Sequence, residues 1–232
     1  MENHDGLRNA AYSDAYIQQC AKYDILFSER NKGASDTINL PEGYSILKTS
    51  YKGQFGGCNI HANRCTLYDE NGNNTHTWKS YDDDADFEIL INHQAGNKYF
   101  IYRQELYGYS VFDLTNNKAF QYLPQCVLDN REYFIWTDVH YNPLNNIAAI
   151  SGCIWACPWS TLLVDFSEPM SEPKFQLDVI NCLDKGYDIY DDADFVKWDG
   201  DALVLNCFER ETKSMKEVII SSAEYNKWIY QE

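Results

Sequence analysis

From about residue 41 the chain alternates short apolar runs with turn residues, and the runs fall into groups. The first group holds Tyr44-Ser45-Ile46-Leu47, Cys65-Thr66-Leu67-Tyr68 and Thr75-His76-Thr77-Trp78. The second holds Phe87-Glu88-Ile89-Leu90-Ile91, Tyr99-Phe100-Ile101-Tyr102, Val111-Phe112 and Ala119-Phe120-Gln121-Tyr122. The third holds Val139-His140-Tyr141, Ile147-Ala148-Ala149-Ile150, Leu162-Leu163-Val164 and Phe175-Gln176-Leu177. The fourth holds Phe195-Val196-Lys197-Trp198, Ala202-Leu203-Val204-Leu205, Val218-Ile219-Ile220 and Lys227-Trp228-Ile229-Tyr230. Turn residues such as Glu70-Asn71-Gly72-Asn73, Ala95-Gly96-Asn97, Thr115-Asn116-Asn117 and Asp199-Gly200-Asp201 separate them. Short runs rich in β-branched and aromatic residues, bounded in this way, read as strands. Residues 10–29 differ: apolar residues at helical spacing predict one amphipathic helix, capped by Ser13 or Asp14. Asn31 to Asp36 reads as a linker or turn. The predicted organisation is an N-terminal helical segment over 1–40 and a β domain over 41–232.

Acidic residues keep phase with these groups. Glu42 and Asp69, Asp86 and Asp113, and Asp138 and Asp165 are each 27 residues apart, and Asp194 opens a fourth copy. A strand-built period of about 40–50 residues marks propeller blades, and about four strands per unit is the count a blade needs. The expected fold is all-β: a small β-propeller-like domain of about four four-stranded blades with an N-terminal helix. A β-sandwich is the alternative, since many short strands with even turns fit it too, although a sandwich has no reason to repeat.

Val139-His140-Tyr141-Asn142-Pro143-Leu144 with Asn145-Asn146-Ile147-Ala148-Ala149-Ile150-Ser151 resembles the first two strands of a WD40-type blade. Leu163-Val164-Asp165-Phe166-Ser167-Glu168-Pro169 is similar to the third strand and exit turn of bacterial propeller repeats. The resemblance is best over residues 138–169, and it implies a propeller. The Gly-His and Trp-Asp dipeptides are not at their expected places, since Trp198-Asp199 belongs to a first strand and its turn. WD40 binding residues are therefore not carried over.

Charge narrows the partners. The chain has 35 acidic and 19 basic residues, a formal net charge of −16. Nucleic acid needs a basic footprint, and an anionic membrane surface needs the same, so neither is an expected partner. No apolar stretch reaches the roughly 18 residues of a membrane span, and Met1-Glu2-Asn3-His4-Asp5 lacks the start of a secretory signal. The expectation is a cytoplasmic protein whose eight cysteines are mostly small buried thiols.

The sharpest local duplication is Tyr81-Asp82-Asp83-Asp84-Ala85-Asp86-Phe87 against Tyr190-Asp191-Asp192-Ala193-Asp194-Phe195, each placed ahead of a first strand. In a propeller the innermost strands ring the central channel, so Glu42, Asp86, Asp138 and Asp194 would form an acidic ring. Facing carboxylates bind a hard cation such as Ca²⁺ or Mg²⁺. Singly, each can instead accept backbone hydrogen bonds in its turn. That bland reading, with no cofactor, is the expectation, and the cation is the alternative.

Asp138-Val139-His140 places a carboxylate and an imidazole on one side of a strand, the spacing of a base with its orienting acid. No Gly-x-Ser-x-Gly nucleophile signature accompanies it. Cys153-Ile154-Trp155-Ala156-Cys157-Pro158-Trp159 has the spacing of half a zinc site, which Cys58, Cys65 or His61 would complete. Buried thiols in a hairpin are the simpler reading, with Trp155 and Trp159 as an exposed recognition patch.

Two function classes follow. The leading one is a non-enzymatic acidic module that binds a protein or peptide, a basic one by charge. An inhibitory or toxin-neutralising protein is one version. Its binding residues would be Tyr81, Asp82, Asp83, Asp86, Tyr190, Asp191, Asp192, Asp194, Trp155 and Trp159. The other class is a divalent-metal-dependent enzyme that uses the acidic ring, with His140 and Asp138 as its acid–base pair.

Overall fold

The structure is a computed structural model that describes residues 8–81, 87–155 and 157–230. Asp82, Asp83 and Asp86, three of the expected binding residues, lie outside the described residues. The fold is all-β, with 50% of the chain in strands and 19% in helices. The strands form four antiparallel sheets of three or four strands each, and none closes into a barrel among the described residues. No helix is long and apolar enough to cross a membrane among the described residues. The chain divides into two compact units, Met1–Ile91 with Asn97–Arg131, and Asn92–Gly96 with Glu132–Glu232.

The first unit begins with residues 8–10, which lie beside residues 121–125. Ala10 N–H donates to the Leu123 carbonyl at 2.7 Å, and Gln125 N–H to the Arg8 carbonyl at 2.9 Å. Helix α1 (Asp14–Tyr23) follows, and Ser13 caps it by accepting the Tyr16 N–H at 3.2 Å. The single helix expected over 10–29 is shorter than that. After Tyr23 the chain tightens into 3₁₀ turns at Asp24–Phe27 and Glu29–Asn31, so the aromatic and β-branched residues there never join a long helix.

Two meanders come next. One is β1 (Lys32–Asn39), β2 (Ser45–Phe55), β3 (Cys58–Tyr68) and β4 (Asn74–Ser80). The other is β5 (Glu88–Asn92), β6 (Lys98–Tyr102), β7 (Tyr109–Asp113) and β8 (Lys118–Tyr122). Strand β1 corrects the turn expected at Asn31 to Asp36. It is an edge strand with nearly every residue exposed, held by its ladder to β2 and by Ser35 Oγ at 2.9 Å from Thr49 Oγ1. The glycine-rich stretch from Gly53 is also strand as far as Phe55, and the hairpin closes over Gly56-Gly57. Ile46, Cys65, Leu67 and Trp78 of the first sheet share one core cluster with Phe100, Tyr102 and Phe112 of the second. Burying a side chain of this size contributes at most about 1.5–3 kcal/mol. Helix α2 (Gln125–Leu128) ends the unit and packs near Leu123, Ala10 and Tyr16.

The second unit holds β9 (Ile135–Asn142), β10 (Ile147–Cys153), β11 (Ser160–Asp165) and β12 (Gln176–Asp178) in one sheet. Short helices α3 (Val179–Cys182) and α4 (Gly186–Ile189) lead to a three-stranded sheet of β13 (Tyr190–Asp199), β14 (Ala202–Glu209) and β15 (Ser214–Ile220). The fourth strand expected at Lys227 to Tyr230 is a helix instead, α5 (Ser222–Ile229). Tyr225, Trp228 and Ile229 line one side of it and pack on the core formed by Ile147, Leu163, Leu203, Leu205 and Ile220. The Tyr225 hydroxyl donates to the Asp201 carbonyl at 2.8 Å, which locks the helix to the β13–β14 turn.

The phased acidic residues acquire a common role. Asp113 and Asp165 each end the third strand of a sheet and Asp69 directly follows one, and each accepts N–H groups from the turn into the fourth. At Asp113 the bonds come from Thr115 N and Asn116 N, both at 2.9 Å, and from the Asn116 and Asn97 side chains. Partial burial pushes the Asp113 carboxyl up, but these bonds outweigh it and hold the group below the usual carboxylate range. The position 27 residues after Asp194 is Ser221. Its carbonyl accepts the N–H groups of Glu224 and Tyr225, so a helix starts where the other sheets turn. Asp113→Ala is expected to lower stability by about 1 kcal/mol, since the freed donors regain water at an exposed turn. Urea unfolding checks this, and an unchanged midpoint would remove the turn-capping role.

Candidate functional site: the tryptophan loop and the acidic strand

The β10–β11 connection carries three exposed apolar side chains: Ile154 at 37%, Trp155 at 51% and Trp159 at 37%. Large apolar residues in an exposed connection are either a recognition surface or a liability. The exit of this one is anchored at Trp159. Trp159 N–H donates to the Asp192 carboxylate at 2.8 Å, and the Trp159 carbonyl accepts the Ala193 N–H at 2.9 Å. Two residues later, Thr161 Oγ1 donates to the Ala193 carbonyl at 2.8 Å. Strand β13 therefore grips the loop at its exit, and the indole of Trp159 stays outside.

The acidic segment is placed otherwise than expected. Tyr190 to Asp194 is the first half of β13, not a turn ahead of it. Alternation along the strand sends its side chains to different surroundings. Asp191 pairs with Arg210 at 2.6 Å, Asp192 clamps Trp159, and Asp194 is half-buried with its carboxyl pushed up by burial and by Asp192. Tyr190 is half-buried too. Only part of the segment's charge faces water. Tyr81, its counterpart in the first unit, is a packing residue: its ring meets Tyr23 at 5.6 Å and Phe27 at 5.9 Å, and its N–H donates to the Gln104 carbonyl.

The pair read from strand spacing is brought together. His140 Nε2 is 3.5 Å from Asp138 Oδ2 and 3.4 Å from Ser151 Oγ, because Ser151 lies directly across the ladder from Asp138. The imidazole stacks on Phe195 at 3.9 Å between centroids. Burial pushes His140 down, and the Asp138 carboxylate only partly offsets that. An acid, a histidine and a serine in contact invite comparison with a hydrolase triad. In a triad the acid holds one ring nitrogen while the other faces the hydroxyl. Here both oxygens converge on the same nitrogen, at distances beyond a good hydrogen bond, so no relay is formed.

Of the expected acidic ring, Asp86 lies outside the described residues, and the other three members have local partners of their own. Glu42 sits in the turn Pro41–Gly43 and pairs with Lys98. Asp138 and Asp194 lie within strands rather than at strand starts, and Asp138 Oδ1 accepts the N–H of Val139. Among the described residues no three His, Cys, Asp or Glu side chains are grouped so as to hold a metal ion. Among the described residues the cysteines form no disulfide. Burial pushes the Cys153 thiol up, and the nearby Cys157 adds to this. Cys65 is buried on β3 with its thiol pushed up to about 12, whereas Cys58 on the same strand is exposed.

Two members of this surface escaped the sequence reading. Ile154 had a signal, as the third apolar residue of the tryptophan loop. Arg210 had none, since only the β13–β14 register brings it to Asp191. Comparison with protein-family models, with curated proteins and with solved structures found no match.

Proposed function

We propose that this protein is a non-enzymatic binding module that engages a protein partner through the Trp155–Trp159 loop, with the carboxylates of β13 at its border. One observation carries this reading: Trp159 is exposed although both of its backbone groups are anchored to β13. A rigid aromatic side chain held in water loses little conformational entropy on binding. Exposed aromatics bordered by charge suit recognition better than catalysis, and the His140 contacts lack the geometry of a proton relay. The partner that fits is basic, because a chain of net charge −16 steers cations toward it. An inhibitory or toxin-neutralising role is one form this takes.

The architecture belongs to the same proposal. We read the four sheets as blades of a small WD40-like propeller, on the strength of the 27-residue phase and of the turn-capping role that Asp69, Asp113 and Asp165 share. A crystal structure whose sheets do not surround a common axis would end that reading. We place the protein in the cytoplasm, where thiols are kept reduced.

The binding proposal is tested by comparing partners recovered by the immobilised wild type and by a Trp155→Ala, Trp159→Ala variant. Affinity for the recovered partner should fall at least tenfold, or about 1.4 kcal/mol. The association rate of the wild type should drop as salt rises, since exposed charges are screened over about 8 Å at physiological ionic strength. Equal recovery by both forms would place the interface elsewhere. Turnover of a small molecule lost in His140→Ala would favour the enzyme class.

A further inference from the structure

A second feature lies in the first unit and is independent of the tryptophan loop. The 3₁₀ turns at Asp24–Phe27 and Glu29–Asn31 border a cavity of about 510 Å³ against the β2–β3 hairpin. Its polar lining is Arg30, Asn31, Lys52, Gln54, Asn59 and His61. Lys52 and His61 face each other across the ladder, which puts their side chains on one side of the hairpin. Arg30 comes from the opposite wall. Ile25, 56% exposed, and Ile60 supply an apolar flank.

The charge of this cavity runs against the chain. Several bases elsewhere are matched with carboxylates: Lys79 with Asp24, Lys98 with Glu42, Arg210 with Asp191 and Lys216 with Glu209. Among the described residues no Asp or Glu lines the cavity, and neither Arg30 nor Lys52 has a carboxylate partner. The nearest acids along the chain are committed, Asp24 to Lys79 and Glu29 to Lys32. Arg30 and Lys52 put two like charges around one space, and an anion entering it would offset their repulsion. Gln54 Nε2 donates to Asn59 Oδ1 at 3.3 Å, which leaves the Asn59 amide N–H groups for a ligand oxygen.

We propose that this cavity binds a phosphate monoester with an apolar body. The guanidinium fork of Arg30 and the point charge of Lys52 match a dianion, and phosphate oxygens suit the fork's geometry. Ile25 and Ile60 would cover the organic part. A space of this volume falls within the usual range for small-molecule sites, about 300–1,000 Å³.

Phenyl phosphate is the probe, titrated into the full chain and followed by calorimetry and amide NMR. Saturable binding with shifts at Gly53, Gln54 and Asn31 is expected, with inorganic phosphate at least tenfold weaker. Arg30→Met with Lys52→Met should weaken phenyl phosphate at least tenfold, and Lys52→Glu should do the same by placing a carboxylate in the cavity. Both sites are on the surface, so the melting temperature without ligand should hold. The exposed Lys227→Met in the second unit should bind as the wild type does. No saturable binding up to about 10 mM, the range of a very weak ligand, would overturn the site. So would unchanged affinity in a folded Lys52→Glu. Equal affinity for inorganic phosphate would overturn the apolar half of the proposal.

Discussion

Gly152→Ala is expected to cost about 3 kcal/mol or more. Gly152 sits in β10 where the register with β9 shifts, opposite Trp136. A Cβ there would stand 1.9 Å from the Ile135 carbonyl oxygen and 2.6 Å from Phe134 Cε1. The first obstacle is backbone, so no rotamer change relieves it. The bulge itself is what brings the β9 backbone so close, and it bends the strand just before the tryptophan loop begins. Relief would therefore require β9 and β10 to separate, at the expense of the ladder that holds Ser151 across from Asp138. Gly200→Ala is the control. Nothing lies within 4 Å of a Cβ at Gly200, but its φ of +63° is left-handed, so only about 1 kcal/mol of backbone strain is expected. Urea unfolding of both variants decides the matter. A Gly152→Ala protein within about 1 kcal/mol of wild type would mean that the strands part more easily than a packed sheet should.

The sequence disclosed strands in proportion to how much they bury. Strand β7 is buried along its whole length, and Ile147 to Ile150 of β10 is as well. Apolar runs bounded by turn residues marked both. Strand β1 is nearly all exposed, so Lys-Gly-Ala-Ser-Asp-Thr carries no alternation and looked like a turn. Its order comes from the backbone of β2, which composition does not encode. Helix α5 was misread for a different reason. Lys227 to Tyr230 is too short a run to separate strand from helix, yet Tyr225 with Trp228 and Ile229 has the spacing of a helical stripe. The Asp138–His140 pair was legible because strand periodicity alone puts both on one side. Which ring nitrogen they share was not, because that depends on Ser151 and Phe195. Tyr81 looked like a contact aromatic because of its acidic neighbours. Its packing against Tyr23 and Phe27 is a tertiary fact without a local trace, and so is the meeting of Arg30, Lys52 and His61.

Acidification is expected to weaken the first unit through one residue, His76. Its ring is stacked 4.3 Å from Phe112 and 5.7 Å from Trp78, with Nε2 at 2.7 Å from the Tyr102 hydroxyl. Burial pushes its pKa down to about 4 from an ordinary 6.5. Above pH 6.5 the ring is neutral in both folded and unfolded chains, and stability does not depend on it. Between 6.5 and about 4 the unfolded chain takes up a proton that the folded chain refuses, so stability falls as pH falls. Below about 4 both are charged and the loss levels off. The full interval corresponds to at most about 3 kcal/mol at 1.36 kcal/mol per pH unit. Attraction of an imidazolium to the two aromatic faces works the other way, by about 0.5–2 kcal/mol, and the ring keeps some contact with water. The expected loss is therefore about 2 kcal/mol. The difference between wild type and His76→Phe in urea stability from pH 7 to pH 4 isolates this loss, because the carboxylates titrate alike in both. Parallel curves, or an NMR titration of the His76 ring with a midpoint near 6.5, would show that water reaches the imidazole and that its burial does not govern the acid sensitivity of this unit.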